Sequence, residues 1–116
     1  MSGKAIVEKA KTFLGTPYVR GGTTPDGFDC SGFVCYVLKL FNIKASNSPD
    51  ALLKGGKAGT GAAGDVVCWK GHVGFCDGTG QVVHAYGSNP GSVRINNIAD
   101  CSRWDNRPVL GYRRYY

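Results

Sequence analysis

A chain of 116 residues is long enough for one sizeable core and too short for a separate second module, so a single domain over residues 1–116 is expected. Its 42% hydrophobic and 19% charged residues are those of a soluble fold, and no apolar run approaches membrane-spanning length, which excludes membrane insertion by a helix. The net charge of +6 suits an anionic partner, whether nucleic acid, a membrane surface or an acidic polymer, without choosing among them.

The chain opens with an expected helix from about Gly3 to Leu14, with Ser2 as its cap, Ile6, Val7, Ala10, Phe13 and Leu14 as its buried stripe, and Gly15 as its stop. No long apolar segment precedes it, so this form is not expected to carry an export signal. The loop from Thr16 to Gly27 holds Pro17, Gly21, Gly22, Pro25 and Gly27, more special backbone positions than a passive connection needs. Tyr18, within it, reads either as a core tyrosine or as a wall of a substrate cleft.

A second helix follows Asp29, whose carboxylate can cap it, with Phe33, Val34, Val37, Leu38 and Phe41 at helical spacing and Lys39 outside the stripe. Cys30 is delivered to its first turn, where unpaired N–H groups and the helix dipole favour a thiolate, which makes Cys30 a candidate nucleophile. Free cysteines are also common inert core residues, and Cys35 further along is read that way. Gly32 is small enough to let another chain segment approach closely.

Ser48-Pro49 then opens a short helix through Leu52 and Leu53 that Gly55-Gly56 end. From Gly55 to Gly64 the composition predicts a flexible surface connection. It lacks the spacing of a phosphate-binding loop.

Beyond it the apolar period changes to two. Strands are expected at Asp65–Trp69, His72–Cys76, Gln81–Ala85, Ser92–Asn96 and Val109–Tyr115, separated by Lys70-Gly71, by Asp77 to Gly80, by Tyr86 to Gly91 and by a longer loop from Asn97 to Pro108. Helices first and a meandering antiparallel sheet of about five strands second make the fold class α+β. The closing L-G-Y-R-R-Y-Y has the aromatic and basic interleaving of a nucleic-acid patch, and equally the alternation of a half-exposed last strand.

Five cysteines, at 30, 35, 68, 76 and 101, cannot all pair and show no C-x-x-C spacing. With only two histidines to join them, reduced thiols are the simpler account, and no metal or cofactor is expected. Those histidines, His72 and His84, fall on adjacent strands. A turn centred on Gly78 sets Cys76 against Gly80 and His72 opposite His84, both on one face, with Val73, Phe75, Val83 and Ala85 on the other. A one-residue slip separates the two imidazoles. In the first register the constellation has a chemical meaning: a thiol at a helix start, an imidazole to take its proton, and a third polar group to fix the imidazole's tautomer.

Taken together, G-T-P-Y-V-R-G-G with P-D-G-F-D-C-S-G-F-V, then G-D-V-V-C-W, G-H-V-G-F-C and V-V-H-A resemble the NlpC/P60 family of cell-wall cysteine peptidases over Gly15 to Ala85. The resemblance implies a papain-like α+β core, with Cys30 as nucleophile, His72 as base and His84 as the residue that orients it. It puts Tyr18, Asp29 and Ser31 against the peptide, the last two at its amino end, and Gly71 near the scissile carbonyl. The implied activity is hydrolysis of peptidoglycan stem peptides, commonly between the γ-carboxyl of D-glutamate and diaminopimelate or lysine, by a monomer that needs neither cofactor, metal, specific nucleic acid nor membrane. The site of action implied is the bacterial wall outside the cell, or alternatively cytoplasmic recycling of wall fragments. An amidase or acyltransferase on the same Cys/His site, or a non-catalytic wall-binding module, are the competing readings. The chain departs from the family's pattern at Cys76, where a tyrosine is usual. On the histidine face, Cys76 is expected to narrow the cleft or to be open to oxidation.

Overall fold

Three helices shield one face of the sheet, and their boundaries follow from local capping. In this computed structural model, which describes residues 2–88 and 90–116, α1 runs over Gly3–Lys11 with the Ser2 hydroxyl accepting from the Ala5 N–H at 3.2 Å. It stops short of the expected Leu14 because the N–H groups of Thr12, Phe13 and Leu14 bond three residues back, to Lys9, Ala10 and Lys11, which tightens the chain into turns and leaves Leu14 exposed. Asn89, in the expected loop from Tyr86 to Gly91, lies outside the described residues, as does Met1.

The loop ahead of the second helix contains a short ribbon, β1 (Thr23–Thr24) and β2 (Gly27–Phe28). α2 spans Cys30–Leu40 and buries Phe33, Val34, Val37 and Leu38; the Asp29 carboxylate accepts from the Gly32 N–H at 2.6 Å. Gly32 has the expected role, since a Cβ there would collide with the Gly22 carbonyl oxygen. α3 (Pro49–Lys54) is capped by Ser48, with Pro49 in its first turn.

The sheet is antiparallel and has six strands: β3 (Lys57–Ala58), β4 (Val66–Trp69), β5 (His72–Cys76), β6 (Gln81–Tyr86), β7 (Ser92–Asn97) and β8 (Gly111–Arg114), in the order β3-β8-β4-β5-β6-β7. Strands β4 to β7 form the expected meander, while β8 returns to pair with β4. Two expectations are corrected. The segment after Gly55, read as a flexible connection, supplies β3, because β8 offers it an unpaired edge. The long loop after β7 contains α4 (Ile98–Trp104), capped by Asn97, whose side chain accepts from Ala99 and Asp100, and burying Ile98 and Cys101. The seven-residue helix shows only one apolar turn, too little for periodicity to reveal.

Strand alternation then divides the sheet residues between two cores. Val66, Cys68, Val73, Phe75, Val83, Ala85 and Val93 pack with α1, α2 and α3, as expected for the non-histidine face. Val67, Trp69, Cys76 and Val82 pack on the other face against Ile98 and Cys101 of α4. The late arginines are held within the chain: Arg113 donates to the Gly55 and Gly56 carbonyls and Arg114 to Asp65, so the terminal alternation is that of a strand.

Asp65 ties these parts together. Its fully buried carboxylate accepts from the N–H groups of Thr60, Gly61 and Ala62 at 2.9, 3.1 and 3.1 Å and from Arg114 at 2.7 Å. Burial alone would raise its pKa, but Arg114 and the backbone donors outweigh it and hold the carboxyl below its ordinary value. Asp65→Ala leaves three N–H groups and a guanidinium without their acceptor, so it should cost about 3 kcal/mol. That corresponds to a fall of roughly 10 °C in thermal midpoint by calorimetry; a change of only a degree or two would show that the loop holds itself.

Candidate active site

His72 is the first residue of β5, directly after a two-residue turn in which Gly71 adopts φ +75°. The β5–β6 register differs from expectation by two residues: Phe75 faces Val83 and Cys76 faces Val82. The turn tip moves to Thr79 because the Asp77 carboxylate accepts from the Thr79 N–H at 2.7 Å and from the Thr79 hydroxyl, winding the loop about itself, with Gly78 and Gly80 at φ 90° and 91°. A slip of two preserves the faces where a slip of one inverts them, so both imidazoles still share a face, now as diagonal rather than direct neighbours. Gly74 makes room for the pair, since a Cβ there would meet Val82 and the Cβ of His84.

His72 Nε2 and His84 Nδ1 are 2.7 Å apart, and His84 Nε2 lies 2.9 Å from Asn96 Oδ1. Asn96 sits on β7, where Arg94 faces His84 and Asn96 faces Val82, so its side chain reaches His84 on the diagonal. Only one proton arrangement satisfies this chain. The Asn96 carbonyl accepts from His84 Nε2–H, His84 Nδ1 is then an acceptor for His72 Nε2–H, and His72 Nδ1 is left with a free lone pair. Asn96 was not singled out in the sequence, because nothing in S-V-R-I-N-N distinguishes it before the strand register is known.

The imidazoles are packed between aromatic rings. Trp69 lies 5.5 Å from His72, and Tyr86 stacks on His84 at 5.1 Å. Burial lowers the pKa of His72 to about 3, helped by His84 and Arg107 and opposed by Asp105. Burial likewise takes His84 down to about 4, against the Asn96 hydrogen bond. Both are neutral near pH 7.

Cys30 stands at the start of α2, with Sγ 3.9 Å from the Gly71 carbonyl. It lines, with Tyr18, Gly71, His72, Tyr86, Ser88, Asp105 and Arg107, a cleft of about 350 Å³. The thiol belongs to the large core and the histidines to the opposite face, and Cys30 and His72 border one cleft because His72 lies at the end of its strand, next to the Gly71 carbonyl that the Cys30 sulfur approaches. The expected thiolate is not the resting form: burial pushes the Cys30 pKa up and the Asp29 carboxylate adds to this, while backbone hydrogen bonds at Val73, Ser31 and Cys30 pull the other way. Desolvation outweighs the helix terminus.

The remaining sequence-derived residues are placed unevenly. Tyr18 is both cleft wall and partial core, which combines its two readings. Asp29 and Ser31 do not line the cleft; the Ser31 hydroxyl donates to Asp29 Oδ1 at 3.5 Å, the oxygen that also caps the helix. Cys76 is on the histidine face but fully buried in the small core and away from the cleft, with burial pushing its thiol up to about 12, so it neither narrows the cleft nor presents a reactive sulfur. Arg107 was legible only as one of the arginines concentrated late in the chain, and neither it nor Asp105 was read as a site residue, because both lie just beyond a helix that the sequence did not reveal.

The NlpC/P60 family matches residues 15–109 of the chain. The chain belongs to the NlpC/P60 family. It is 35% identical over 117 residues to the probable peptidoglycan endopeptidase LytE of Bacillus subtilis, covering 95% of this chain and 34% of that protein. With the gamma-DL-glutamyl hydrolase of the same organism it shares 30% over 122 residues, covering 95% and 29%. The structure of NlpC2 from Trichomonas vaginalis superposes with a TM-score of 0.86 at 27% identity, covering 97% of this chain and 46% of that one. The chain therefore spans about a third of these two curated relatives' length.

A buried pair of neutral imidazoles makes stability depend on pH. Unfolded, each takes up a proton near 6.5; folded, not until about 3 or 4. Between those values the unfolded chain binds more protons, so their stabilising contribution is complete above 6.5 and is lost as pH falls toward 4, at up to about 1.4 kcal/mol per pH unit for each imidazole. Urea unfolding at pH 7, 6, 5 and 4 should show this decline, with about half the slope in His84→Asn. Equal slopes in the two proteins would place the titration elsewhere.

Proposed function

We propose that this chain is a cysteine endopeptidase acting on peptidoglycan stem peptides, cutting between the γ-carboxyl of D-glutamate and the following diamino acid. The observation that carries the reading is the Asn96–His84–His72 hydrogen-bond chain, which leaves His72 Nδ1 as the free base in the cleft that Cys30 lines. Because thiol and imidazole both rest neutral, the Cys30 proton passes to His72 Nδ1 as Sγ bonds to the scissile carbonyl carbon. Backbone N–H groups at the start of α2 face the oxygen that becomes negative. The imidazolium, its Nε2–H held by His84, returns the proton to the departing amine, giving a thioester. Water then attacks, losing a proton to His72, and the thiol is released.

Tyr18 walls the cleft, and Gly71 lies beside the scissile carbonyl. Asp29 Oδ2 makes no hydrogen bond among the described residues, which supports its use, with Ser31, for the ammonium of a peptide already stripped of sugar. A monomer suffices, since every residue named comes from one chain.

Incubation with muropeptides should release fragments with a new amine on the diamino acid; a free lactyl group on the sugar instead would make the enzyme an amidase. Cys30→Ala should abolish release with folding intact, and His72→Ala should lower kcat at least about a hundredfold. His84→Gln should keep a measurable part of the activity, because its amide oxygen can accept from His72. Asn96→Ala should lower kcat about tenfold, the worth of one hydrogen bond, with KM little changed. Parent-level turnover by Cys30→Ala would end the proposal. If acetylating the peptide's amine leaves kcat/KM unaltered, Asp29 and Ser31 do not hold that end.

A further inference from the structure

The cleft contains one polar cluster that the catalytic chain does not use. Arg107 Nη2 donates to Asp105 Oδ2 at 3.0 Å and Nη1 to the Lys70 carbonyl at 2.6 Å, while the Tyr86 hydroxyl donates to Asp105 at 3.1 and 3.3 Å. The backbone holding this cluster is equally fixed. Asn106 adopts φ 51°, the Arg107 N–H bonds to the Ser102 carbonyl at 2.9 Å, and the Ser102 hydroxyl accepts from Trp69 Nε1 at 2.8 Å. Pro108 follows and restricts the chain further. Arg107 is thereby locked over the turn that carries His72: its Nη1 would be 3.7 Å from a Cβ at Gly71, the residue whose carbonyl Cys30 approaches.

A guanidinium has five N–H donors. Two are accounted for by Lys70 and Asp105, and the side chain, which lines the cleft, remains 31% exposed, with no further partner for the other donors among the described residues. Asp105, by contrast, already takes Tyr86 and Arg107 and acts as a brace. An immobilised, partly satisfied arginine at a reacting centre is matched to a planar carboxylate. A γ-linked glutamyl residue necessarily offers one. Its α-carboxylate stays free, four bonds from the carbon under attack.

We propose that Arg107, braced by Asp105 and Tyr86, receives the free α-carboxylate of the γ-glutamyl residue on the acyl side of the scissile bond, and so selects the acid over its α-amide. This rests on the peptidase reading above and adds to it a residue outside the Cys-His machinery. The substrate would be held at three points: its ammonium by Asp29, its reacting carbonyl at Cys30 and its carboxylate by Arg107. A peptide amidated on the α-carboxyl leaves the spare donors of Arg107 facing a weaker acceptor with no charge.

The test uses binding, which does not depend on turnover. In the Cys30→Ala protein, calorimetric titration with L-Ala-γ-D-Glu-L-Lys and with its isoglutaminyl analogue should give Kd values about tenfold or more apart, favouring the acid. Adding Arg107→Gln should bring the two Kd values together by weakening the acid alone, and Arg107→Lys should restore part of the difference. No preference in the Cys30→Ala protein overturns the inference without any second variant. It is equally overturned if Arg107→Gln weakens acid and amide in proportion, or leaves the ratio as it was. Parent enzyme that binds the acid selectively yet cleaves neither peptide would instead count against the peptidase reading and leave the carboxylate site standing.

Discussion

The 2.7 Å contact between His72 Nε2 and His84 Nδ1 is the constraint on which the rest of the structure depends. Both rings rest neutral, since protonating either places a charge in a buried site. Burial keeps them neutral, and a buried ring needs partners for its nitrogens; only His72 Nδ1 is left with a free lone pair. Asn96 supplies the partner at the far end, Gly74 makes space for the Cβ of His84, and Trp69 and Tyr86 flank the rings. The sheet's second face is thus built around a polar chain rather than in spite of one.

The same dryness sets the reactivity of Cys30. A helix N-terminus favours a thiolate, but the sulfur is nearly as buried as the core beneath it, and desolvation dominates. Thiol and imidazoles therefore all rest uncharged.

α4 connects these features to the outer wall of the cleft. Ile98 and Cys101 close the small core over Val67, Cys76 and Val82. The turn after it carries Asp105 and Arg107 to the edge of the His72 strand, where the first braces the second. Cover for the histidines and polar lining for the cleft are consequently one structural unit, and β8, which follows, is bound into the sheet by the half-exposed Arg114 paired with the buried Asp65.

Local chemistry was legible in the sequence wherever it is settled within a few residues. Ser2, Asp29 and Ser48 cap the helices they precede, Pro49 opens α3, the central strands alternate as written, and the D-C-S-G and G-H-V-G stretches carry the resemblance to the family that the chain belongs to. Strand pairing lies beyond that range. The Asx turn at Asp77 moved the β5–β6 register by two residues, and the face survived only because two is the period of a strand. β3 exists because β8 has an edge to fill, α4 because the small core needs a lid, and Asn96 has a role because β7 lies beside His84. The protonation state of Cys30 was beyond reach for the same reason. Sequence locates a helix terminus, but how much water remains around it is set by segments that fold against it from elsewhere in the chain.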